Sequence, residues 1–215
     1  MNDEPRFLSQ ARSLRLNDLA PDFTARTTQG PKSLSDYRGR WLILVSHPAD
    51  FTPVCTSEFI ALARRAGEFA AAGCDLMALS VDSLYSHLAW LKDIDARFGV
   101  RVTFPIIEDP SMIVGHAYGM VDASSSSSAT VRATFVIDPQ GVIRAISWYP
   151  MNVGRSVEEL LRLLTALQTA DQDGGSTPEG WSPGVPLLSP AATTLDEAIA
   201  DGQRDEAWYY RERKS

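Results

Sequence analysis

The sequence predicts an α/β sandwich built on a mixed β-sheet. Three apolar segments of strand length, "WLILVSH", "CDLMALSVD" and "VTFPIIED", alternate with two segments of helical periodicity. Two further strand-like segments, "TVRATFVID" and "GVIRAISWYP", flank the turn "DPQG" and precede an amphipathic helix. Alternating strands and helices favour parallel pairing, and a terminal hairpin adds antiparallel strands, so one sheet is expected to contain both.

The N-terminal third predicts turns, the first buried strand and the first long helix. Residues 15–40 mix Pro, Gly, Asp and short apolar pairs, which is typical of turns and short hairpin strands. The run "WLILVSH" has the length and composition of a central strand buried on both faces. From Pro53 a period of 3.6 predicts a helix that ends at Gly73. Its predicted buried face carries Phe59, Leu62, Ala63, Ala66, Phe69 and Ala70.

The middle of the chain repeats the strand–helix pattern. Helical spacing in "SLYSHLAWLKDIDARFG" predicts a helix that ends at Gly99. The segment "SMIVGHAYGM" predicts a short helix after the third strand, and the run Ser124–Ser128 predicts a flexible loop. The predicted buried stripe of the long helix carries Leu84, Leu88, Leu91, Ile94 and Phe98.

The end of the chain predicts a small second domain. Ser156 is suited to cap the helix "SVEELLRLLTALQ", with Glu159 completing a capping box. Beyond this helix the Gly, Pro and Ser content is typical of a linker that follows a surface without forming elements. We therefore predict an α/β domain over residues 1–168 and a C-terminal extension over residues 169–215. The extension is predicted to dock, or to contribute to dimerisation, through the aromatic residues Trp208, Tyr209 and Tyr210.

Composition limits the class of protein. The 215 residues carry a net charge of −7, without a basic stripe, which argues against nucleic-acid binding and against anionic membranes. No run approaches the ~18 apolar residues of a membrane span, and the N-terminus lacks the apolar core of a signal peptide. Cys55 and Cys74 form a poor disulfide framework. We therefore predict a cytoplasmic protein whose thiols are either buried and inert or exposed and used.

Cys55 lies where the first helix is predicted to begin. In "FTPVC", Thr52 occupies the N-cap position and Pro53 the first helical position, which puts Cys55 in the first turn. Free N–H groups and the positive end of the helix dipole stabilise a thiolate there, and the thiolate is the reactive form of cysteine. Because Cys55 misses the apolar stripe that begins at Phe59, we interpret it as a reactive thiol. Cys74 opens a predicted buried strand and is interpreted as a core residue.

The residues around Cys55 resemble the active-site signature of the peroxiredoxins. "PADFTPVCTSEF" contains the pattern P-x-x-x-T-x-x-C at Pro48, Thr52 and Cys55. The similarity continues in order through "LNDLAPDF", "LSVDS", "HLAWLKDI", "FPIIED", "VRATFVID" and "GRSVEELLRLLTALQ". "SHPADFTPVCT", "HLAW" and the long C-terminal region resemble the one-Cys, peroxiredoxin-six-like subfamily of the AhpC/TSA family. This resemblance implies a thioredoxin-like fold, with a mixed central sheet flanked by helices.

The resemblance also implies a thiol-dependent peroxidase of antioxidant defence. In that family a thiolate, here Cys55, attacks the O–O bond of hydrogen peroxide or an alkyl hydroperoxide and becomes a sulfenic acid. Thr52 matches the threonine whose hydroxyl contacts the sulfur and the peroxide, and Pro48 matches the proline that shields the thiolate from water. Arg132, in "VRATFVID", matches the arginine that holds both thiolate and peroxide. Fixed cationic donors suit a reaction in which charge moves from sulfur to the leaving oxygen.

Four further residues have supporting interpretations. Glu58 resembles the glutamate that orients the family arginine, with an ordinary helix-surface glutamate as the alternative. Arg155, in "GRS", resembles a second supporting arginine. His47 aligns with the histidine before the family proline, and either hydrogen-bonds the sulfur region or simply ends its strand. His87 is interpreted as a packing or interface residue on the inner side of its helix.

No cofactor or metal is expected, because sulfur carries the electrons and the histidines and cysteines lack metal-ligand spacing. No cysteine follows Cys74, whose predicted burial makes it a poor resolving thiol. The sulfenic acid then requires an external thiol, a thioredoxin-like protein or a small thiol, unless a partner chain supplies one. The family implies homodimers, or larger rings of dimers. The segment "SLSDYRGRW" lacks a G-x-S-x-G motif, so a phospholipase activity is not expected.

Two other classes of function compete with the peroxidase. In the first, oxidation of Cys55 changes the assembly of an interaction protein, an idea motivated by the aromatic residues of the tail. Measuring the size of the assembly in the reduced and in the oxidised protein tests this class, because an unchanged assembly would count against it. The second is a thioredoxin-type disulfide oxidoreductase, which the missing C-x-x-C motif disfavours.

Overall fold

The computed structural model describes residues 13–121, 127–202, 207 and 209–213. The chain divides into two compact units after Arg155. The described strands of the first unit are β1 (Thr24–Thr27), β2 (Gly30–Ser33), β3 (Trp41–Ser46), β4 (Cys74–Ser80), β5 (Ile106–Glu108), β6 (Arg132–Ile137) and β7 (Ile143–Tyr149). Its described helices are α1 (Pro53–Ala71), α2 (Leu84–Phe98) and α3 (Ile113–Ala117), with a 3-10 turn at Leu34–Tyr37.

The strands of the first unit form one mixed sheet in the spatial order β2-β1-β5-β4-β3-β6-β7. The strands β3, β4 and β5 are parallel, as expected where α1 and α2 connect them, while β6 and β7 add an antiparallel hairpin. Every residue of β3 is buried, which confirms the prediction of a central strand covered on both faces. The predicted α/β class, the mixed sheet and the N-terminal hairpin of β1 and β2 are confirmed.

The start of α1 is as predicted, but its buried face begins earlier than predicted, in the first turn of the helix. Thr52 is the N-cap and Pro53 the first helical residue. The buried residues are Cys55, Glu58, Phe59, Leu62 and Phe69, whereas Ala70 is exposed. The prediction that Cys55 misses the apolar stripe was wrong, because Cys55 precedes Phe59 by four residues, about one helical turn on the same face.

The predicted stripe of α2 was wrong in part, since Ile94 alone of its five members is fully buried. The buried residues of this helix are His87, Trp90 and Ile94, while Leu88 and Phe98 are exposed. This face has helical spacing, but its first member is a histidine, so hydrophobicity alone favoured a neighbouring face. Burial of His87 is tolerated because both ring nitrogens have hydrogen-bond partners. Its predicted position on the inner side of the helix is confirmed.

The second unit begins at Ser156 and contains the described elements α4 (Val157–Asp173), β8 (Leu187–Leu188), α5 (Leu195–Gly202) and β9 (Glu212–Arg213). The Ser156 side chain accepts a hydrogen bond from Glu159 N, as predicted, but the Glu159 carboxylate pairs with Arg162 rather than completing the capping box. Because α4 runs to Asp173, the helix passes the boundary we predicted at residue 168, and that boundary stays a prediction.

We had predicted a linker without secondary structure beyond the last long helix, and this prediction was wrong, because the segment beyond residue 173 contains strands and a helix. Strands β8 and β9 pair antiparallel. The buried Trp181 donates its ring N–H to the Val185 carbonyl at 2.8 Å. Tyr209 and Tyr210 are exposed, whereas Trp208 and most of the serine run at 124–128 lie outside the described residues. None of the described helices combines the length and apolar character needed to cross a membrane.

Gly115, in α3, provides a test of packing in the first unit. A Cβ at this position would lie 2.9 Å from Val121 Cγ2 and 3.3 Å from Asp109 Oδ2, the oxygen that accepts a hydrogen bond from the Gly115 N–H. Because overpacking costs about 1–3 kcal/mol, we expect Gly115→Ala to lower the free energy of unfolding by that amount. Gly67→Ala, in α1, is the control, because a Cβ there meets nothing within 4 Å and alanine favours helix. Equal shifts of the urea midpoint in the two variants would contradict the prediction.

Candidate active site

Cys55 is fully buried in the first turn of α1. Its Sγ accepts a hydrogen bond from Arg132 Nη1 at 3.3 Å. Arg132 opens β6, which pairs with β3, and the loop that follows β3 leads directly into α1. The order of the strands therefore brings together two residues that lie 77 positions apart. Our expectation, that a thiol is either buried and inert or exposed and used, did not include this arrangement, in which Cys55 is buried beside a cation.

The guanidinium of Arg132 is held in one orientation. Its Nε and Nη2 both donate to the Met151 carbonyl oxygen, at 2.8 and 2.7 Å. Its Nη1 donates to Glu58 Oε2 at 2.9 Å as well as to the sulfur. Because a guanidinium is planar and its donors are fixed, these bonds leave it little freedom to turn away from Cys55.

Glu58 joins Arg132 to a second buried arginine. Its Oε1 accepts hydrogen bonds from Arg155 N and Nε at 2.7 and 2.9 Å, and its Oε2 accepts one from Arg155 Nη2 at 2.8 Å. Burial opposes ionisation of this carboxyl, but the bonds and charge of Arg155 and the charge of Arg132 hold its pKa below the ordinary value. The alternative of a helix-surface glutamate was wrong. The structure also brings Arg155 to the site.

Thr52 and Pro48 lie on the loop between β3 and α1. Thr52 Oγ1 donates its hydrogen to the Ala49 carbonyl at 2.9 Å, so its oxygen remains available only as an acceptor. Among the described contacts, Thr52 makes no hydrogen bond to the sulfur. Pro48 is buried. Phe51, just before the N-cap, has a φ of +55°, a strained conformation for a bulky residue and one found mainly at functional sites.

His47 bonds to an aspartate that sequence reasoning missed. His47 Nε2 and Asp50 Oδ1 lie 2.9 Å apart, and His87 Nδ1 and Asp50 Oδ2 lie 2.8 Å apart. All three side chains are buried. His47 therefore bonds to Asp50 and not to Cys55, and because β3 ends at Ser46 the strand-ending interpretation is the closer of our two.

The electrostatics of this trio follow from its bonds. Burial opposes ionisation of Asp50, but the hydrogen bonds from His47 and His87 lower its pKa to about 2. Burial lowers the pKa of His47 more than Asp50 raises it, so the ring is neutral near pH 7. One potential metal-ligand atom from each of the three residues lies within 4.8 Å of the others, so the trio has the spacing of a cluster that could hold a metal ion.

Cys74 is a core residue, as predicted. It is buried at the start of β4, and burial raises the pKa of its thiol to about 12. Cys74 pairs with Trp41 at the beginning of β3, whereas Cys55 follows the end of that strand, a length of about 16 Å. A disulfide needs Cα atoms within about 7 Å, so the two thiols, both free in the structure, cannot join without unfolding.

Comparison with known proteins identifies the family. The AhpC/TSA family matches residues 16–146, and the C-terminal domain of 1-Cys peroxiredoxin matches residues 166–202. A peroxiredoxin of Aquifex aeolicus is 44% identical over 214 residues, which cover 93% of this chain and 96% of the relative. A peroxiredoxin of Thermoplasma volcanium is 44% identical over 198 residues, which cover 91% of this chain and 97% of the relative.

Solved structures agree with the sequence matches. A yeast mitochondrial 1-Cys peroxiredoxin has a TM-score of 0.83 at 42% identity, covering 94% of this chain and all of that one. Peroxiredoxin 6 of Arenicola marina has a TM-score of 0.79 at 33% identity, covering 87% of this chain and 89% of that one. The predicted thioredoxin-like fold and the predicted resemblance are therefore confirmed. The chain belongs to the AhpC/TSA family, in its one-Cys branch, and is a peroxiredoxin, a thiol-dependent peroxidase.

Proposed function

We propose that Cys55 is the peroxidatic residue and that it reduces hydrogen peroxide and alkyl hydroperoxides through a sulfenic acid. The observation that carries this proposal is the 3.3 Å hydrogen bond from Arg132 Nη1 to the buried Cys55 Sγ. In the reaction the thiolate sulfur forms an S–O bond while the O–O bond breaks. The sulfur loses two electrons, and the departing oxygen takes up a proton to leave as water or an alcohol.

The buried charges support a thiolate at this position. Arg132 and Arg155 contribute two positive charges and Glu58 one negative charge, so a thiolate at Cys55 makes the cluster neutral. A buried charge is tolerated where it is paired and hydrogen-bonded. We assign Arg132 the role of stabilising both the thiolate and the charge that develops on the departing oxygen. Glu58 and Arg155 hold that guanidinium in place.

Thr52, Pro48 and His47 complete the proposed site. Because the Thr52 hydroxyl donates its hydrogen to the Ala49 carbonyl, its oxygen is suited to accept a hydrogen bond from the peroxide O–H. Pro48 is buried and has no backbone N–H, so it cannot donate a hydrogen bond that would hold a water molecule beside the thiolate. His47 contributes to the buried wall before the loop, where its ring packs edge-on against Phe59 at 4.8 Å between ring centroids.

A thiol reductant closes the catalytic cycle. Two thiols reduce the sulfenic acid, which yields the Cys55 thiol, one disulfide and one water. We propose a thioredoxin-like protein or a small thiol in this role, because Cys74 lies too far from Cys55. The yeast relative resolves its thiol via glutathione/thioredoxin systems. Since Cys55 is fully buried, the first turn of α1 must open before a second thiol can reach the sulfur.

We propose that the protein is a cytoplasmic homodimer, or a larger ring of such dimers. Strand β7 lies at the edge of the sheet, and Trp148 on this strand is half exposed. An edge of this kind favours pairing with a second chain. Two free thiols and a reaction that consumes thiols fit a reducing compartment.

Intact mass after one equivalent of peroxide tests the chemistry. We expect the reduced protein to gain one oxygen, located on the peptide that contains Cys55, and turnover to be supported by only some members of a panel of thiol donors. Oxygen on another residue would overturn the assignment of Cys55. A loss of two hydrogens would instead show a Cys55–Cys74 disulfide and contradict the structural role of Cys74.

A further inference from the structure

Asp82 lies on the loop that follows β4, and its carboxylate reaches the loop that precedes α1. Its Oδ2 accepts a hydrogen bond from the backbone N–H of Asp50 at 2.9 Å. The two loops are neighbours because β3 and β4 pair in parallel, so both strands end at the same edge of the sheet. This carboxylate has no part in the chemistry proposed for Cys55, although it contacts the loop that carries Thr52.

Ser80 holds the Asp82 carboxylate in this position. Ser80 is fully buried at the end of β4, and its hydroxyl donates to the same Oδ2 at 3.0 Å. The Ser80 oxygen in turn accepts the backbone N–H of Asp82 at 3.1 Å. The carboxylate is therefore fixed from its own side of the sheet edge. An oxygen that is already fixed loses little freedom when it accepts the Asp50 hydrogen bond.

One peptide group connects Asp82 to the Thr52 hydroxyl. The N–H that Asp82 accepts belongs to the peptide bond between Ala49 and Asp50. The carbonyl of the same peptide bond accepts the Thr52 Oγ1 hydrogen at 2.9 Å. This bond is trans, so its N–H and C=O lie in one plane and point in opposite directions. Fixing the N–H at Asp82 therefore also fixes the direction of the carbonyl that holds the Thr52 hydroxyl.

The same loop contains a conformation that needs support. Phe51, which lies between this peptide group and Thr52, has a φ of +55°. Such a left-handed value is unfavourable for a bulky residue and persists only where surrounding contacts impose it. The hydrogen bonds of Asp50 N–H and of Thr52 Oγ1 lie on either side of Phe51. Without Asp82 the loop can relax by rotating the Ala49–Asp50 peptide group, and the Thr52 hydroxyl then loses its acceptor.

We propose that Asp82 is a positioning residue for the peroxidase reaction, which acts through the Ala49–Asp50 peptide group to direct the Thr52 hydroxyl hydrogen away from the substrate. The Thr52 oxygen then presents its lone pairs to the O–H of the hydroperoxide. If the Ala49 carbonyl turned away, the hydroxyl would be free to donate its hydrogen to the substrate instead of accepting one. The proposal rests on the assignment of Cys55 and Thr52 to peroxide reduction.

Two substitutions of Asp82 separate its hydrogen bond from its charge. Asp82→Ala removes the acceptor, and we expect kcat/KM for peroxide to fall on the order of 10-fold. Asp82→Asn loses the charge but keeps one carbonyl oxygen for the Asp50 N–H and the Ser80 hydroxyl, so its kcat/KM should stay within about threefold of the wild type. A folded Asp82→Ala with the wild-type kcat/KM, or an equal loss in Asp82→Asn, would overturn the proposal.

Asp36→Ala is the matched control, because it removes a bond of the same kind outside the site. Asp36 lies on the 3-10 turn, and its Oδ2 accepts the backbone N–H of Ser33 at 2.8 Å. This variant should keep the wild-type kcat/KM. Hydrogen exchange measured by mass spectrometry adds a readout that is independent of activity. The peptide over residues 47–54 should exchange faster in Asp82→Ala and at the wild-type rate in Asp36→Ala, and unchanged exchange in a folded Asp82→Ala would contradict the role of the bond.

A double-mutant cycle tests whether Asp82 acts through Thr52. Thr52→Val removes the hydroxyl and lowers kcat/KM by itself. If Asp82 orients that hydroxyl, Asp82→Ala should cost about 10-fold in the wild-type background but less than about twofold in Thr52→Val. Additive losses would mean that Asp82 acts only through packing or stability, which would refute the positioning role.

The failure of this proposal is distinguishable from that of the Cys55 assignment. Oxygen on another residue after one equivalent of peroxide would refute Cys55, while hydrogen exchange would still measure the Asp82 bond. Wild-type kcat/KM in a folded Asp82→Ala would refute the positioning role with the oxygen still on Cys55. If Asp82→Ala does not fold, Ser80→Ala decides, because it removes the hydroxyl that fixes the carboxylate. We expect faster exchange and a smaller loss of kcat/KM in Ser80→Ala, and wild-type values of both would overturn the proposal.

Discussion

Cys55→Ser is expected to abolish peroxide turnover while leaving the fold intact. A serine hydroxyl is not ionised near neutral pH and cannot take the place of a thiolate as the nucleophile that breaks the O–O bond. Loss of a covalent nucleophile removes nearly all of the catalytic advantage, so kcat/KM should fall by at least about 10³-fold. Serine is close in size to cysteine, and its oxygen can still accept the Arg132 hydrogen bond, so the buried site should remain satisfied.

Cys74→Ala provides the matched control, because it removes the other thiol of the chain from a buried position. Peroxide consumption should stay close to that of the wild type, with at most a modest loss of stability from the smaller side chain. The measurement is consumption of hydrogen peroxide with a supporting thiol donor, alongside thermal unfolding. Turnover by Cys55→Ser, or its loss in a folded Cys74→Ala, would contradict the assignment.

Local patterns predicted most of the fold. The apolar run of β3 and the Thr52–Pro53 start of α1 are signals carried by neighbouring residues, and the structure confirms both. The face of α2 failed because it buries His87, whose polarity is compensated by contacts with Asp50 and Ile107. Such compensation depends on residues distant in sequence, so hydrophobic periodicity cannot detect it.

The candidate site was predicted in part, and mainly through family resemblance. The resemblance identified Cys55, Arg132 and Glu58, whereas spacing alone gave only a thiol at a helix start. Asp50 was missed because its second partner, His87, lies 37 positions away on another element. An aspartate in a loop after a strand is usually a surface residue, so only the tertiary structure shows that it joins two buried histidines.

Glu58→Gln is expected to destabilise the protein and impair catalysis together. The neutral amide would leave Arg132 and Arg155 buried without their shared anion, and its NH₂ group would face guanidinium donors. Removing one partner from a buried charged network costs about 3–5 kcal/mol. We expect a loss of that size in the free energy of unfolding at pH 7. A lower kcat/KM should accompany it, because the Arg132 guanidinium is no longer held toward the sulfur.

Glu68→Gln is the matched control in the same helix. Glu68 pairs with Arg65, but both side chains are largely exposed, so its loss should cost less than about 1 kcal/mol. Urea unfolding of the wild type and the two variants at pH 7 measures the difference. Equal stability of Glu58→Gln and Glu68→Gln would show that the buried network contributes no more than a surface pair.

The stabilisation that Glu58 contributes should depend on pH in a definite direction. The pKa of Glu58 is lower in the folded protein than its ordinary value of 4.5, so the folded state favours the ionised carboxyl. That stabilisation is fully present above pH 4.5 and is lost as the pH falls through the lower, folded pKa. The stability gap between the wild type and Glu58→Gln should therefore be constant near neutral pH and narrow below pH 4.5. A stability gap that widened in acid would mean that the folded protein binds Glu58 as a neutral acid. A negative charge on Glu58 could then not be what holds the Arg132 guanidinium beside Cys55.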